Sequence, residues 1–234
     1  MECLIFDVYG DFAHYRKFYT TSSPLTFSIP TRTSLCGLIS AIIGIDKSEY
    51  LKYFSKNEAK IAIKIIKPVK KMRMSYNLID TKTAIDMHII KNRTQVTFEL
   101  LKDCGYRIYF SHNNKEIFSK LKDYLKDHKT YYTPCMGLSQ FIADIKYVGA
   151  YNVWEKNNDS FVYIDSVIPF DEENLKVEFE DGKEYFKDVL PNEMNQEREV
   201  KEYIKVIYER NCKNIKCNLN RFYECEGGEK IVFL

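Results

Sequence analysis

Pro30-Thr31-Arg32-Thr33-Ser34-Leu35-Cys36-Gly37-Leu38-Ile39-Ser40-Ala41-Ile42-Ile43-Gly44 sets Leu35, Leu38, Ile39, Ile42 and Ile43 at the spacing of a buried helical stripe, opened by Pro30-Thr31 and stopped by Gly44. Upstream, Cys3 to Val8 is rich in β-branched and aromatic residues and predicts a strand ended by Tyr9-Gly10-Asp11. Downstream, Ile61–Val69 alternates as a second strand. Gln95–Leu101 and Tyr106–Ser111 follow as two strands joined by a turn at Lys102-Asp103-Cys104-Gly105. Asn114–Lys126 carries Ile117, Leu121, Tyr124 and Leu125 at helical spacing, and Phe141, Ala143, Ile145 and Tyr147 alternate as the next strand. This order is the split βαβ, ferredoxin-like pattern, also used by RNA-recognition modules.

The expected fold class is therefore α+β: a ferredoxin-like (RRM-like) βαββαβ domain over residues 1–149, with a projecting β-hairpin thumb inserted at about 68–95. A small β-rich C-terminal domain is expected over 150–234, where the pattern shortens to Phe161–Val167, Lys176–Phe179 and a pair around Gly227-Gly228, while Val200–Glu209 fits both helix and strand spacing and its β-branched content favours strand. The 234-residue chain is long enough for a substantial core.

The formal net charge is only +2, but it is unevenly spread. Lys60 to Thr97 holds nine Lys/Arg against Asp80 and Asp86, a local +7, whereas Asp171 to Glu202 holds five Lys/Arg against twelve Asp/Glu, a local −7. A concentrated basic stretch is what phosphate binding needs. The acidic stretch is expected to face protein or solvent. The longest apolar runs, such as Leu38–Ile45, fall far short of the roughly 20 residues that span a bilayer, and the N-terminus has no signal-peptide pattern. No membrane partner and a cytoplasmic location are expected. Seven cysteines without a C-x-x-C read as buried reduced thiols, with no metal and no cofactor.

Three groups of residues carry candidate RNA chemistry. His14, Arg16 and Lys17 alternate with Tyr15, Phe18 and Tyr19, with no acidic residue between Phe12 and Arg32, so cations for phosphates adjoin rings on which bases can stack. Thr20, Thr21 and Ser22 add hydroxyls, and Arg32, Thr33 and Ser34 occupy a first helical turn, where free N–H groups favour an anion. The alternative is a loop whose rings cover the sheet and an ordinary capped helix. The second group is the excursion Lys67–Arg93, with Lys70, Lys71 and Arg73 on its way out and Arg93 and Gln95 on its return. Met72, Met74, Tyr76, Leu78 and Ile79 among those charges suggest a contact surface rather than a solvated loop. The third is the loop around Met136 and Gly137, which either brings backbone close to RNA or simply turns into the next strand.

Gly10-Asp11-Phe12-Ala13-His14-Tyr15-Arg16-Lys17-Phe18-Tyr19-Thr20-Thr21-Ser22-Ser23, running into Phe27-Ser28-Ile29-Pro30-Thr31-Arg32-Thr33-Ser34 and the helix to Gly44, resembles the N-terminal signature of the fifth Cas family, a RAMP-superfamily subunit of CRISPR Cascade. Asn92-Arg93-Thr94-Gln95-Val96-Thr97-Phe98-Glu99, Tyr106-Arg107-Ile108-Tyr109 and Tyr132-Thr133-Pro134-Cys135-Met136-Gly137-Leu138-Ser139 are similar to stretches of its subtype I-B branch. The resemblance implies an antiviral-defence subunit that caps the 5′ handle of the crRNA. Its implied partners are the Cascade backbone subunit of the seventh Cas family, the Cascade large subunit and, through the complex, target DNA.

Some members of that family cut CRISPR repeat RNA without metal, resembling a Lys-His pair with a separate Tyr. No Lys-His dipeptide occurs here, and only His14, Tyr15 and Lys17 offer a base, an acid and a cation in one loop. A non-catalytic binding subunit is the expectation, with metal-independent endoribonuclease as the alternative.

Overall fold

The computed structural model describes residues 1–79, 93–157, 159–171, 173 and 175–234. Lys82, His88 and Lys91 of the expected hairpin lie outside the described residues. The chain runs β1 (Glu2–Ala13), α1 (Arg32–Ile43), α2 (Tyr50–Tyr53), β2 (Ala59–Ile65), β3 (Lys70–Ile79), β4 (Arg93–His112), α3 (Lys115–Lys126), β5 (Asp144–Asn157), β6 (Val162–Ile164), β7 (Ile168–Pro169), β8 (Lys176–Val177), β9 (Tyr185–Met194), β10 (Val200–Glu209), β11 (Ile215–Asn218), β12 (Arg221–Cys225) and β13 (Lys230–Ile231). The α+β class expected from the sequence is the one observed.

The main sheet has the order β13-β12-β5-β1-β4-β2, with β3 paired to β4, and its neighbours are antiparallel. Helices α1 and α2 lie between β1 and β2, and α3 joins β4 to β5, so two β-α-β units interleave. Alternation along the strands buries both faces. Leu4, Phe6, Val8, Ile61, Ile63, Ile108 and Phe110 pack with α1 and α3, whereas Cys3, Ile5, Ala62 and Tyr109 pack with Val153, Cys225 and Ile231. Asp7 and Glu229 share Arg107 on that second face, and Glu229 also accepts from Lys64 and Tyr109.

Local chemistry sets the helix ends. Thr31 caps α1 by accepting from the Ser34 N–H at 3.1 Å, and Gly44 closes it in the left-handed region at φ 76°. Asn114 caps α3 in the same way, accepting from the Glu116 and Ile117 N–H groups. Among the described residues no helix is long and apolar enough to cross a membrane.

Three expectations are corrected. Lys102-Asp103-Cys104-Gly105 is not a turn: β4 runs unbroken for 20 residues. Cys104 and Gly105 pair with Gly10 and Tyr9 of β1, and the irregularity is confined to Asp103, at φ 52°. What changes there is β4's other partner, since β3 ends against Lys102 and β2 ends against Tyr106. Turn-forming composition thus marks a hand-over between two strands laid end to end. Second, β5 passes without a break through residues 149 and 150, where the sequence suggested a change of unit, and β12 and β13 extend the main sheet from β5. Val167, Leu190, Val206 and Tyr208 belong to the same core as α1. Third, the strand expected over Ile61–Val69 is Ala59–Ile65. The doubtful stretch Val200–Glu209 is strand β10, as its β-branched content indicated.

Candidate nucleic-acid interface

The loop after β1 divides into a buried and an exposed half. His14 is 2% exposed and Tyr15 5%, so neither side chain is displayed at the surface where the sequence expected an RNA contact. The His14 ring meets Phe98 edge-on at 5.4 Å, its Nδ1–H donates to the Glu99 carbonyl at 2.8 Å, and Nε2 is buried without a partner. Tyr15 donates to the Met136 sulfur at 3.4 Å. Burial lowers the His14 pKa, against the pull of the Glu99 carbonyl. A histidine held neutral in the fold leaves stability intact above its unfolded value of about 6.5 and removes stability as pH falls below it toward the folded value. Half-buried His112 shifts the same way for the same leading reason. Stability measured by denaturant titration should therefore fall between pH 7.5 and 5.5, and His14→Asn, which retains a donor for Glu99, should flatten the fall. An unchanged profile in that variant would clear His14 of responsibility.

The remaining half is displayed. Arg16, Phe18, Tyr19, Thr21 and Ser22 are exposed, with Arg16 donating to the Thr20 carbonyl at 3.0 Å. Thr20 is half-buried and its hydroxyl donates to the Lys17 carbonyl. Phe18 meets Tyr19 edge-on and Tyr203 at 5.0 Å.

The helix-start group is structural. Arg32 is 2% exposed, its Nη2 donating to the Phe54 and Ala59 carbonyls at 3.0 and 2.7 Å and its Nη1 to the Asn192 carbonyl at 3.4 Å. Thr33 and Ser34 both bond the Thr31 hydroxyl, completing the cap. Three carbonyls of other segments account for an arginine that opposes the helix dipole. Met136 is fully buried, and its carbonyl accepts from the His14 N–H at 3.0 Å. Gly137, at φ 92°, lies so close to His14 that a Cβ would sit 2.0 Å from the His14 carbonyl oxygen. The close approach read at Gly137 is to the chain's own backbone.

Strands β3 and β4 form a ribbon with two unlike faces. Cross-strand partners share a face, so Arg73 with Glu99, Ser75 with Thr97, Asn77 with Gln95, and Ile79 with Arg93 line one side. Met72, Met74, Tyr76, Val96 and Phe98 alternate onto the other, and all but Val96 pack on the main core. Lys70, Lys71 and Arg73 do not act as one patch. Strand alternation sends Lys70 to the opposite side from its neighbour, where it joins Lys67 at Asp103. Lys71, Arg73, Arg93 and Gln95 remain on the polar face.

Loop and ribbon are tied together. Lys71 Nζ donates to the Thr26 carbonyl at 2.8 Å and the Glu99 carboxylate at 2.9 Å, and the Glu99 N–H donates to the Pro24 carbonyl. Below this junction opens a cleft of about 510 Å³ between Lys17 and Ser28 of the loop, Val69 and Lys71 of the ribbon base, and Phe186–Asp188, Tyr208 and Arg210. Lys17, Lys71 and Arg210 bring cations to it and Asp188 a carboxylate, whereas the Lys187 side chain lies on the other face of β9, over the Phe170 ring. Burial opposes charge on Lys17, but Asp188 at 3.1 Å overrides it and the pKa is raised. Burial, joined by Asp188, pushes the Tyr208 phenol up, so it remains a neutral donor. Arg210 Nε donates to the Val69 carbonyl and the Val69 N–H donates back to the Arg210 carbonyl, both at 3.0 Å.

Phe186, Lys187, Tyr208 and Arg210 were missed in the sequence. Lys187 falls inside the acidic segment assigned to protein or solvent, and no local pattern separates it from its neighbours.

Fold and surface define a class: a mixed α+β protein that presents cations, hydroxyls and exposed rings on one continuous loop, ribbon and cleft. Residues 3–201 match the family described as CRISPR-associated protein (Cas_Cas5), and the chain belongs to that family. Among solved structures it is similar to a CRISPR protein from Archaeoglobus fulgidus at 14% identity, over 100% of this chain and 99% of that one, with a TM-score of 0.64. It is also similar to a chain of a CRISPR RNA-guided surveillance complex at 12% identity, over 97% of this chain and 92% of that one, with a TM-score of 0.54. No curated protein matches the chain.

Proposed function

We propose that this protein is a non-catalytic RNA-binding subunit of a CRISPR effector complex of the type I-B Cascade kind, holding the 5′ handle of the crRNA. In that role it meets the seventh-family backbone subunit and the large subunit, and reaches target DNA through the complex. The observation that carries the reading is the junction at Lys71, which joins an exposed cation-and-ring loop, the polar face of a hairpin and a basic cleft into one surface. Membership of the family and likeness to a chain of an RNA-guided surveillance complex support it. The interleaved β-α-β units support a ferredoxin-like reading of the N-terminal part. Binding is favoured over cleavage because the loop's acid–base set is dispersed: His14 and Tyr15 are buried, and Lys17 is paired to Asp188.

The test is CRISPR repeat RNA bound to the purified protein, or to its assembly with neighbouring subunits, in EDTA across a salt series. Each lost phosphate contact on a single strand takes about 0.7 from the slope of log affinity on log salt, so three contacts imply more than about tenfold weakening between 50 and 200 mM salt. Arg73→Ala with Arg93→Ala should flatten that slope while the RNA stays intact. Salt-independent binding removes the RNA reading, and cleavage that persists in EDTA removes the non-catalytic one.

A further inference from the structure

Lys17 to Thr20 is a β-turn, closed by the Thr20 N–H donating to the Lys17 carbonyl at 3.2 Å. Its two central positions, which ordinarily go to Gly, Pro, Asn, Asp or Ser, hold Phe18 and Tyr19. Neither ring enters the core: Phe18 is 54% exposed and Tyr19 61%. Turn chemistry and internal packing both leave two large rings at this tip unexplained. The turn itself is held fast. The Thr20 hydroxyl donates to the Lys17 carbonyl at 2.8 Å, Arg16 Nη2 donates to the Thr20 carbonyl at 3.0 Å, and the Lys17 N–H donates across the loop to the Leu25 carbonyl at 2.8 Å. Lys17 Nζ anchors it to β9 through Asp188 at 3.1 Å.

A third ring comes from far along the chain. Tyr203 of β10, itself 45% exposed, meets Phe18 at 5.0 Å between ring centroids, and Phe18 meets Tyr19 at 5.2 Å. Rings already fixed in place lose little freedom on gaining a flat partner. Beside them Arg16 is exposed, its guanidinium bonded to a carbonyl rather than a carboxylate, and the exposed Thr21 and Ser22 follow. No acidic residue occurs between Phe12 and Arg32. Rings with a cation and hydroxyls alongside suit an unpaired base and its sugar–phosphate. An apolar side chain of a protein partner would cover the rings but leave the guanidinium and hydroxyls unmatched.

We propose that Phe18, Tyr19 and Tyr203 form a stacking site for one unpaired base of an RNA strand, with Arg16 at the neighbouring phosphate. This rests on the reading of the protein as an RNA binder, and it gives the acidic segment, through Tyr203, a part in that contact. The site differs in kind from the polar face of the ribbon, because it holds a base rather than the backbone.

Repeat RNA is titrated against the intact protein by fluorescence anisotropy across a salt series, with Phe18→Ala and Tyr203→Ala beside the wild type. Both side chains are exposed, and unchanged unfolding midpoints confirm that the variants are folded. Loss of a stacking ring should weaken binding about tenfold while the slope on salt stays the same, since no phosphate contact goes with it. RNAs carrying one abasic nucleotide each then locate the base: at one position the wild type should lose the same factor, and Phe18→Ala should lose nothing further. Undiminished binding by either variant, a slope that flattens with them, or losses that add at every abasic position overturns the proposal. So does a Phe18→Ala protein that binds RNA normally but fails to assemble with neighbouring subunits, which would make the rings a protein contact. Each of those results leaves the RNA reading standing, whereas a wild type that binds no repeat RNA removes both.

Discussion

Gly137→Ala is expected to lower the stability of the protein by about 3–5 kcal/mol, since a non-glycine residue in an unfavourable backbone region costs about 1–3 kcal/mol and an enforced shift of packed backbone adds to it. Two observations compound here. The backbone φ is 92°, and the new methyl would lie 2.0 Å from the His14 carbonyl oxygen and 2.8 Å from its carbon. The obstacle is main chain, which cannot swing aside as a side-chain tip can. The displaced strip includes the bond from the His14 N–H to the Met136 carbonyl and the contact of Tyr15 with the Met136 sulfur. For a chain of this size, each kcal/mol shifts the melting temperature by about 2–4 °C, so a drop of about 10 °C is expected in thermal unfolding. A midpoint within about 2 °C of wild type would mean that the two loops are not packed as described.

Arg32→Met should be comparably damaging, by about 3–5 kcal/mol. Methionine fills much of the volume but donates nothing, leaving the buried carbonyls of Phe54 and Ala59 without the donors they have at 3.0 and 2.7 Å. The affinity for RNA per folded molecule, measured well below the melting temperature, should be unchanged. The opposite pattern, normal stability with weakened and less salt-sensitive RNA binding, would restore Arg32 to the phosphate contact that its place in the first helical turn suggests.

The contrast between those two roles of Arg32 shows where sequence reading reached its limit. Periodicity identified α1 and α3 closely, and the β-branched content of Val200–Glu209 identified β10, because side-chain spacing answers directly to local geometry. Residue type did less well for exposure. His14 and Arg32 carry polar groups that read as surface chemistry, yet each is buried by backbone carbonyls from residues far away in sequence. Nothing near position 32 announces the carbonyl of Asn192. The cleft was harder still, since Lys17, Lys71 and Arg210 meet only through the tertiary fold. At 102–105, composition gave a real signal with the wrong meaning: the chain does become irregular at Asp103, but β4 has partners on both sides and continues.

That continuity gives the hairpin a mechanical character. At about 3.3 Å per residue, the 20 residues of β4 make a beam roughly 65 Å long, clamped by β1 and β2 over its second half and carrying β3 along its first. A pivot at the base would have to peel Lys102 and Cys104 away from Phe12 and Gly10. The β3–β4 half, seated on the core through Met72, Met74, Tyr76 and Phe98, therefore works as a braced arm rather than a flap. Load placed on its outer end by a bound strand is borne by the central sheet, and the ribbon's polar face keeps a fixed bearing on the cleft, at a set distance along any polymer that touches both.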